Sequence, residues 1–338
     1  MTAGRLRVEA AGPLTSVQDR GRPGWRRFGV PPSGPVDRRA FAGALAAIGA
    51  EADGAAIELS LGGLTMVCEE APVSIALTGA ASAAIDGAEI GDWCVATLKP
   101  GMRCRIRQHG GNWGYLAVAG RIGRPRWLGS AATHLIAGLG GGRIAEGDVL
   151  AIADAAADLT AAAIPSPEAQ PITIARVLLG PQQRYFDDAV LATLAAQPFA
   201  ASARFDRMGM VLDGPLLPPT RIDMPSEPAV RGALQVDGAG RVSLLTADHQ
   251  TTGGYPRIAV VIEPDIDRIA QLPPGAPLRF AIVEPDEAVA LTRAAAARDA
   301  AWLSRIAAAR RTRPSLLDAN LIGGVVDALG DPLLSNGS

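Results

Sequence analysis

Asp19, Arg20, Arg22, Arg26, Arg27 and Asp37 all fall within Ser16–Asp37 (SVQDRGRPGWRRFGVPPSGPVD), with Trp25 and Phe28 among them. Guanidinium groups such as Arg22 and Arg26 can grip a carboxylate or phosphate through paired N–H donors. Asp19 can serve as a base or orient a ligand, and Ser33 adds a hydroxyl. The stretch also holds four glycines and four prolines, which rules out regular helix and central strand. Two readings stand side by side. One is a functional loop; the other is an N-terminal strap pinned by its aromatics, with solvated arginines.

A second cluster is Ala247–Arg257 (ADHQTTGGYPR), set between two strand-like runs. His249 can move a proton near neutral pH, and Gln250, Thr251, Thr252 and Tyr255 can orient a polar substrate. Gly253 and Gly254 allow backbone N–H groups to approach a ligand closely. The plain alternative is a strand connection whose side chains satisfy their own backbone. A third cluster, Arg204–Gly209 (RFDRMG) followed by Ser226-Glu227, offers Asp206, Arg207 and Glu227. These can form a carboxylate–guanidinium set around a substrate, or only a surface ion pair of little energetic value.

The elements that must position these groups are mostly strands. Short apolar or alternating runs at Ala56–Ser60, Leu64–Cys68, Val73–Thr78, Trp93–Thr97, Arg103–Gln108, Trp113–Ala119 and Val149–Ala153 predict an antiparallel barrel or sandwich. A helix is predicted over Asp37–Ala50, capped by Asp37. Residues Asp154–Pro171 turn Ala-, Pro- and Ser-rich and read as a linker. Beyond it, strands are predicted at Ile172–Leu179, Leu234–Val236, Arg241–Thr246, Ile258–Ile262 and Leu278–Val283, with helices near Gln182–Ala196 and Pro264–Leu272. From Pro285 the pattern is helical, with a final amphipathic piece at Ser315–Leu329. The domains so drawn are 1–160, 170–284 and a helical tail, 285–338.

At 338 residues and 48% hydrophobic content the chain can bury two cores, and a net charge of −2 argues against nucleic-acid or anionic-membrane partners. The N-terminus lacks a secretory h-region and no apolar run spans a membrane, so a cytoplasmic location is expected. Cys68, Cys94 and Cys104 read as reduced, buried thiols. Lys99 is the only lysine among 32 basic residues, and it follows Leu98 rather than glycine. No Walker-type phosphate loop is possible, and Lys99 lacks the setting of a biotinylated lysine or of a Ser-Ser-Lys amidase. No G-x-S-x-G elbow occurs, and His109, His134 and His249 are too scattered to form a metal motif, so no metal site is expected.

Taken in order, the Ser16–Asp37 motif, RFDRMGMVLDGP, the Ser-Glu before RGALQV, and DHQTTGGYPRIAVVI resemble the biotin-dependent carboxyltransferase-like family, also called allophanate hydrolase subunit 2. The likeness runs from about Gly12 to Phe280 and includes Gly129-Ser130 and the GDVL at Asp148. The resemblance implies a mainly β fold of two cyclophilin-like β-barrels in tandem. It implies a C-type subunit of a 5-oxoprolinase, which with A- and B-type partners opens the lactam of 5-oxoproline to glutamate, coupled to ATP with Mg. Asp19, Asp206, Glu227 and His249 are then the candidate acid–base groups for this small amide substrate. Arg22, Arg26, Ser33, Arg207 and the 250–255 loop would bind it. Two alternatives follow from the same likeness. One is a carboxyltransferase component of a urea-type carboxylase, taking carboxyl-biotin from another chain; the other is a regulatory partner of the B-type subunit. The chain departs from the family pattern at Leu45 and Ala50, where asparagines are usual, and at His249 and Arg231, where arginine and proline are usual.

Overall fold

The computed structural model describes residues 3–167, 172–180 and 182–311. The fold is mainly β, with two barrel-type units in tandem and four α-helices among the described residues. The expected piece Ser315–Leu329 and the last residues of the expected linker lie outside the described residues.

The first unit is an eleven-stranded antiparallel sheet. Its path runs Ser16–Gln18, Ala56–Leu59, Gly114–Val118, Val73–Ile85, Arg103–Gln108, Gly63–Cys68, Gly4–Ala11, Val149–Ala153, Arg121–Ile122. Two predicted runs lengthen into one hairpin, Val73–Ile85 with Ala88–Leu98, turned by Asp86-Gly87 with φ of 48° and 85°. That Asp-Gly pair supplies the two left-handed residues a tight hairpin requires. The long strand first pairs with Gly114–Val118 and then, past Gly79, with Arg103–Gln108. Gly79 has φ of 75°, and a Cβ there would stand 2.6 Å from the Trp113 carbonyl, so only glycine permits the bend. The strand path ends at Ser16–Gln18 and Arg121–Ile122 without closing. Gly4–Ala11 is an unanticipated strand, and the charged stretch opens as a short edge strand rather than wholly as loop.

The second unit is a closed seven-stranded barrel: Ile174–Leu179, Arg257–Val261, Ala233–Val236, Val242–Leu245, Gly209–Asp213, Phe199–Phe205 and Pro277–Ile282. Parallel pairing of the first and last of these strands closes it. A separate ribbon pairs Glu227–Pro228 with Thr252–Gly253. Alternating burial fills each interior; in Arg103–Gln108, Cys104 and Ile106 point inward while Arg103, Arg105 and Arg107 are exposed. All three cysteines are free and buried, and burial pushes Cys94 up to about 11 and Cys104 to about 12. They behave as inert core groups.

Helix α1 (Arg38–Ile48) starts as expected, with the Asp37 carboxylate accepting from the Ala40 N–H at 2.9 Å. The predicted Gln182–Ala196 helix is a 3-10 turn, Gln183–Tyr185, and then α2 (Asp188–Ala196); buried Phe186 is extended between them. Helix α3 spans Glu263–Ala270 and α4 spans Pro285–Arg311. The described part of the expected tail is not free. Trp302 of α4 packs on α1 where Gly43 leaves room, and its indole N–H donates to the Pro165 carbonyl at 2.8 Å. The expected linker is also partly held, since Ala162–Ala163 pairs with Cys94–Val95 and Leu159 and Ile164 are buried. Burial of those two side chains against the α1–α4 face is the physical reason. Among the described residues no helix is long and apolar enough to cross a membrane.

Candidate functional site

The base of the strap is built on Asp19. Its carboxylate accepts from the Gly21 N–H at 2.9 Å, the Ser130 hydroxyl at 2.5 Å and the Ala131 and Ala132 N–H groups at 2.6 and 3.2 Å. Both oxygens are engaged, so Asp19 ties the strap to the Gly129–Thr133 loop and is a positioning residue rather than a free base. Asp19, expected as an acid–base candidate, is held there by these contacts.

Arg22 follows from this anchoring. It is 2% exposed, and it donates to the Ser33 hydroxyl at 3.2 Å and to the Ala132 carbonyl. Its guanidinium lies 5.1 Å from the Trp127 ring centroid. Its Nε is buried without a partner, and no carboxylate stands within ion-pair distance among the described residues. Burial lowers its pKa; Asp19 and Asp248 oppose this from farther off, and Arg207 adds to it. Ser33 holds a left-handed φ of 55°, a strained choice for serine, and Gly34 follows at 88°. Gly140 makes the close approach possible, because a Cβ there would stand 3.0 Å from Arg22 Nη2.

Arg207 is equally buried but differently partnered. Its Nε and Nη2 form a bidentate pair with Asp248 at 2.9 and 3.0 Å, Nη1 pairs with Glu58, and Nη2 also donates to the Gly34 carbonyl at 2.7 Å. Burial works against its charge, but Asp248 and Glu58 together outweigh that and raise its pKa. Arg207, expected to bind substrate, has its donors held by protein groups, and it joins the strap of one unit to the 248 loop of the other. Glu58 in turn accepts from the Val36 N–H and the Tyr115 hydroxyl, both at 2.8 Å. Tyr115 accepts from the Asp37 N–H at 2.7 Å, which carries the network to the α1 cap.

The same interface holds a second arginine. Arg231 donates to the Val36 carbonyl and pairs with Glu263 and Asp267. Asp37 faces Asp267, Arg231 and Gln271 across the units; burial first, then Asp267, raises it to about 7.

His249 is 2% exposed, and its Nδ1 donates to the Gln250 carbonyl at 2.7 Å. That bond assigns the neutral tautomer, leaving the Nε2 lone pair without a protein partner among the described residues. Burial lowers its pKa, with Arg26 and Arg231 adding to the effect. Gln250 bonds Gln235 at 2.7 Å, and with Tyr255 and Asp206 it lines a groove of about 540 Å³ on the second barrel. Asp206 gives one carboxylate oxygen to the Met208 and Gly209 N–H groups at 2.7 and 3.1 Å, so it shapes a turn. Asp206, Arg207 and Asp248 also line a crevice of about 160 Å³ against Leu135 and Arg143 of the first unit. Glu227 sits apart in the ribbon, accepting from Gln182 at 2.5 Å and facing Arg257 and Arg184 at 3.5 and 3.7 Å. Thr252 and Gly253 share that ribbon, beside Thr251 and Gly254.

The structure therefore gathers Arg22, Ser33 and Asp19 at the strap base, places His249 within the field of Arg26, and holds both regions together through Arg207. Glu58 and Asp248 belong to this network although the sequence does not single them out as site residues. Asp248 lies inside a quoted motif, whereas Glu58 is one charged residue in a strand and carries no local signal.

Residues 28–282 match the family described as carboxyltransferase domain, subdomain A and B. The chain belongs to that family. It is 36% identical over 297 residues to the C-type 5-oxoprolinase subunit of Escherichia coli, covering 84% of this chain and 93% of the relative. The corresponding C-type 5-oxoprolinase subunit of Haemophilus influenzae is 31% identical over 287 residues, 82% of this chain and 91% of the relative. The urea amidolyase of Saccharomyces cerevisiae is 29% identical, with 81% of this chain matching 16% of that longer protein. The crystal structure of the Kluyveromyces lactis urea amidolyase superposes with a TM-score of 0.79 at 26% identity, over 88% of this chain and 20% of that one.

Proposed function

We propose that this chain is the C-type subunit of an ATP-dependent 5-oxoprolinase complex, which opens the lactam of 5-oxoproline to glutamate together with A- and B-type subunits. The observation that carries this reading is the extent of the match. The chain aligns with 93% of the C-type 5-oxoprolinase subunit of E. coli, but with only 16% of the yeast urea amidolyase.

In this reading Arg22 and Arg26 receive the substrate carboxylate. A buried guanidinium without a counter-ion costs folding energy, and an anionic ligand would offset that cost on binding. Ring opening adds water across the C–N bond: the water oxygen joins the carbonyl carbon and a proton reaches the departing nitrogen. Neutral His249 accepts the proton from water at Nε2 and returns it to nitrogen, and its lowered pKa keeps that lone pair free at pH 7. The Ser33 hydroxyl, Thr251, Thr252 and the Gly253-Gly254 backbone are the further substrate contacts this reading requires, Thr252 and Gly253 lying in the ribbon that carries Glu227.

No group of three or more His, Cys, Asp or Glu among the described residues is placed to hold a metal, and Lys99 is exposed in the turn between Ala88–Leu98 and Arg103–Gln108. In this reading the ATP chemistry is assigned to the partner subunits, and no step in this chain runs through it.

The test is reconstitution with the A- and B-type subunits and measurement of ATP-dependent glutamate formation from 5-oxoproline. Glutamate formed only when this chain is present supports the reading; equal turnover without it contradicts it. The shared fold with urea amidolyase favours a second reading, transfer of CO₂ from carboxyl-biotin. ATP-dependent carboxylation with a biotin carrier, and no lactam opening, would establish that one instead.

A further inference from the structure

The strap has a tip that its own chain covers only in part. Trp25 is 38% exposed and Phe28 is 62% exposed, and the 3-10 turn Arg26–Phe28 contains no buried residue. Their rings lie 5.8 Å apart, and the Arg27 guanidinium stands 4.7 Å from the Phe28 centroid. Gly24 and Gly29 bracket the tip with φ of 92° and 78°, and a Cβ at either would meet nothing within 4 Å. Exposed aromatic surface of this extent is unfavourable unless something covers it.

Charge separates this tip from an ordinary surface. Arg20, Arg26 and Arg27 have no carboxylate within ion-pair distance among the described residues, and neither does Arg22 below them. Asp19, the only acid nearby in sequence, is already engaged by the 130–132 loop. The result is an apolar pair rimmed by uncompensated positive charge. Tryptophan and arginine beside an exposed ring is the composition of an interface hot spot. The tip leaves the chain between Arg22 and Ser33, so whatever covers it also sits at the mouth of the candidate site.

We propose that the Trp25–Phe28 tip is the docking element for a partner subunit of the complex, entering an apolar pocket rimmed by carboxylates. This rests on the multi-subunit reading above. Charge complementarity selects the occupant: a second copy of this chain would bring the same unpaired arginines together, whereas an acidic pocket neutralises them. Docking there closes the site from outside and lowers the cost of holding Arg22 and Arg26 unpaired.

The test compares the full-length chain with Trp25→Ala/Phe28→Ala, with Arg27→Glu, and with Leu216→Ala, an exposed apolar control in the second unit. Each is titrated against the purified A- and B-type subunits, with melting temperature measured alongside. The tip variants should melt close to the parent, because the Arg26–Phe28 turn contains no buried residue, yet bind one subunit at least about tenfold more weakly. Leu216→Ala should bind normally, and parent affinity should fall as salt rises. Normal binding by both tip variants overturns the proposal, as does tip-dependent dimerisation of the chain alone. Failure of the parent to bind either partner overturns the multi-subunit reading instead, and this inference with it.

Discussion

Arg22 and Arg207 are both 2% exposed, yet their surroundings assign them opposite tasks. Arg207 meets Asp248, Glu58 and a backbone carbonyl; Arg22 meets one hydroxyl and one carbonyl, with Nε unpartnered. A buried cation between two carboxylates is a structural joint, and removing it strands their charges. One without a counter-ion lowers stability and is retained where an anion binds. Burial alone does not tell a brace from a binding group; the presence of a carboxylate does.

The largest expected effect is at the joint. Arg207→Ala leaves Glu58 and Asp248 buried and unpaired, and should lower stability by roughly 3–5 kcal/mol in a denaturant titration. A loss below about 1 kcal/mol would remove the distinction drawn between the two arginines. Asp37→Asn probes the same interface through pH. With its pKa raised from 3.8 to about 7, the wild-type contribution is full below pH 3.8 and lost as pH rises through about 7. Relative to the variant, which is neutral throughout, the wild type should weaken between about pH 4 and 7 by at most about 1.4 kcal/mol per pH unit. A parallel pair of stability curves would contradict the burial of a protonated Asp37.

The strap side should respond less in stability. Arg22→Met removes an uncompensated charge and keeps the apolar stem, so stability should change by no more than about 1 kcal/mol. Arg26→Ala should be smaller still in stability but should raise the His249 pKa toward its ordinary value, since Arg26 helps lower it. An NMR titration of the imidazole checks this; an unmoved His249 would separate the strap tip from the 248 loop.

Much of this arrangement is legible in the sequence because its cues are local. The Asp37 cap, the punctuation between strands and the density of hydrogen-bonding groups in DHQTTGGYPR each depend on a few adjacent residues. The sorting of the arginines is not, because it depends on contacts far apart in the chain. Arg207 finds Glu58 across 149 residues, and Arg22 finds Ala132 across 110. Closure of only the second barrel depends likewise on pairing Ile174–Leu179 with Pro277–Ile282. Docking of α4 turns on one glycine, Gly43, beneath Trp302.

The most direct measurement is ATP-dependent glutamate formation from 5-oxoproline by the chain reconstituted with A- and B-type subunits, comparing the parent with Arg22→Met. The account expects turnover by the parent and a loss of about 100-fold or more in the variant, with the melting temperature and complex formation retained. Undiminished turnover by Arg22→Met, or a variant that fails only because it unfolds, would contradict the assignment of Arg22 as the anion-binding group.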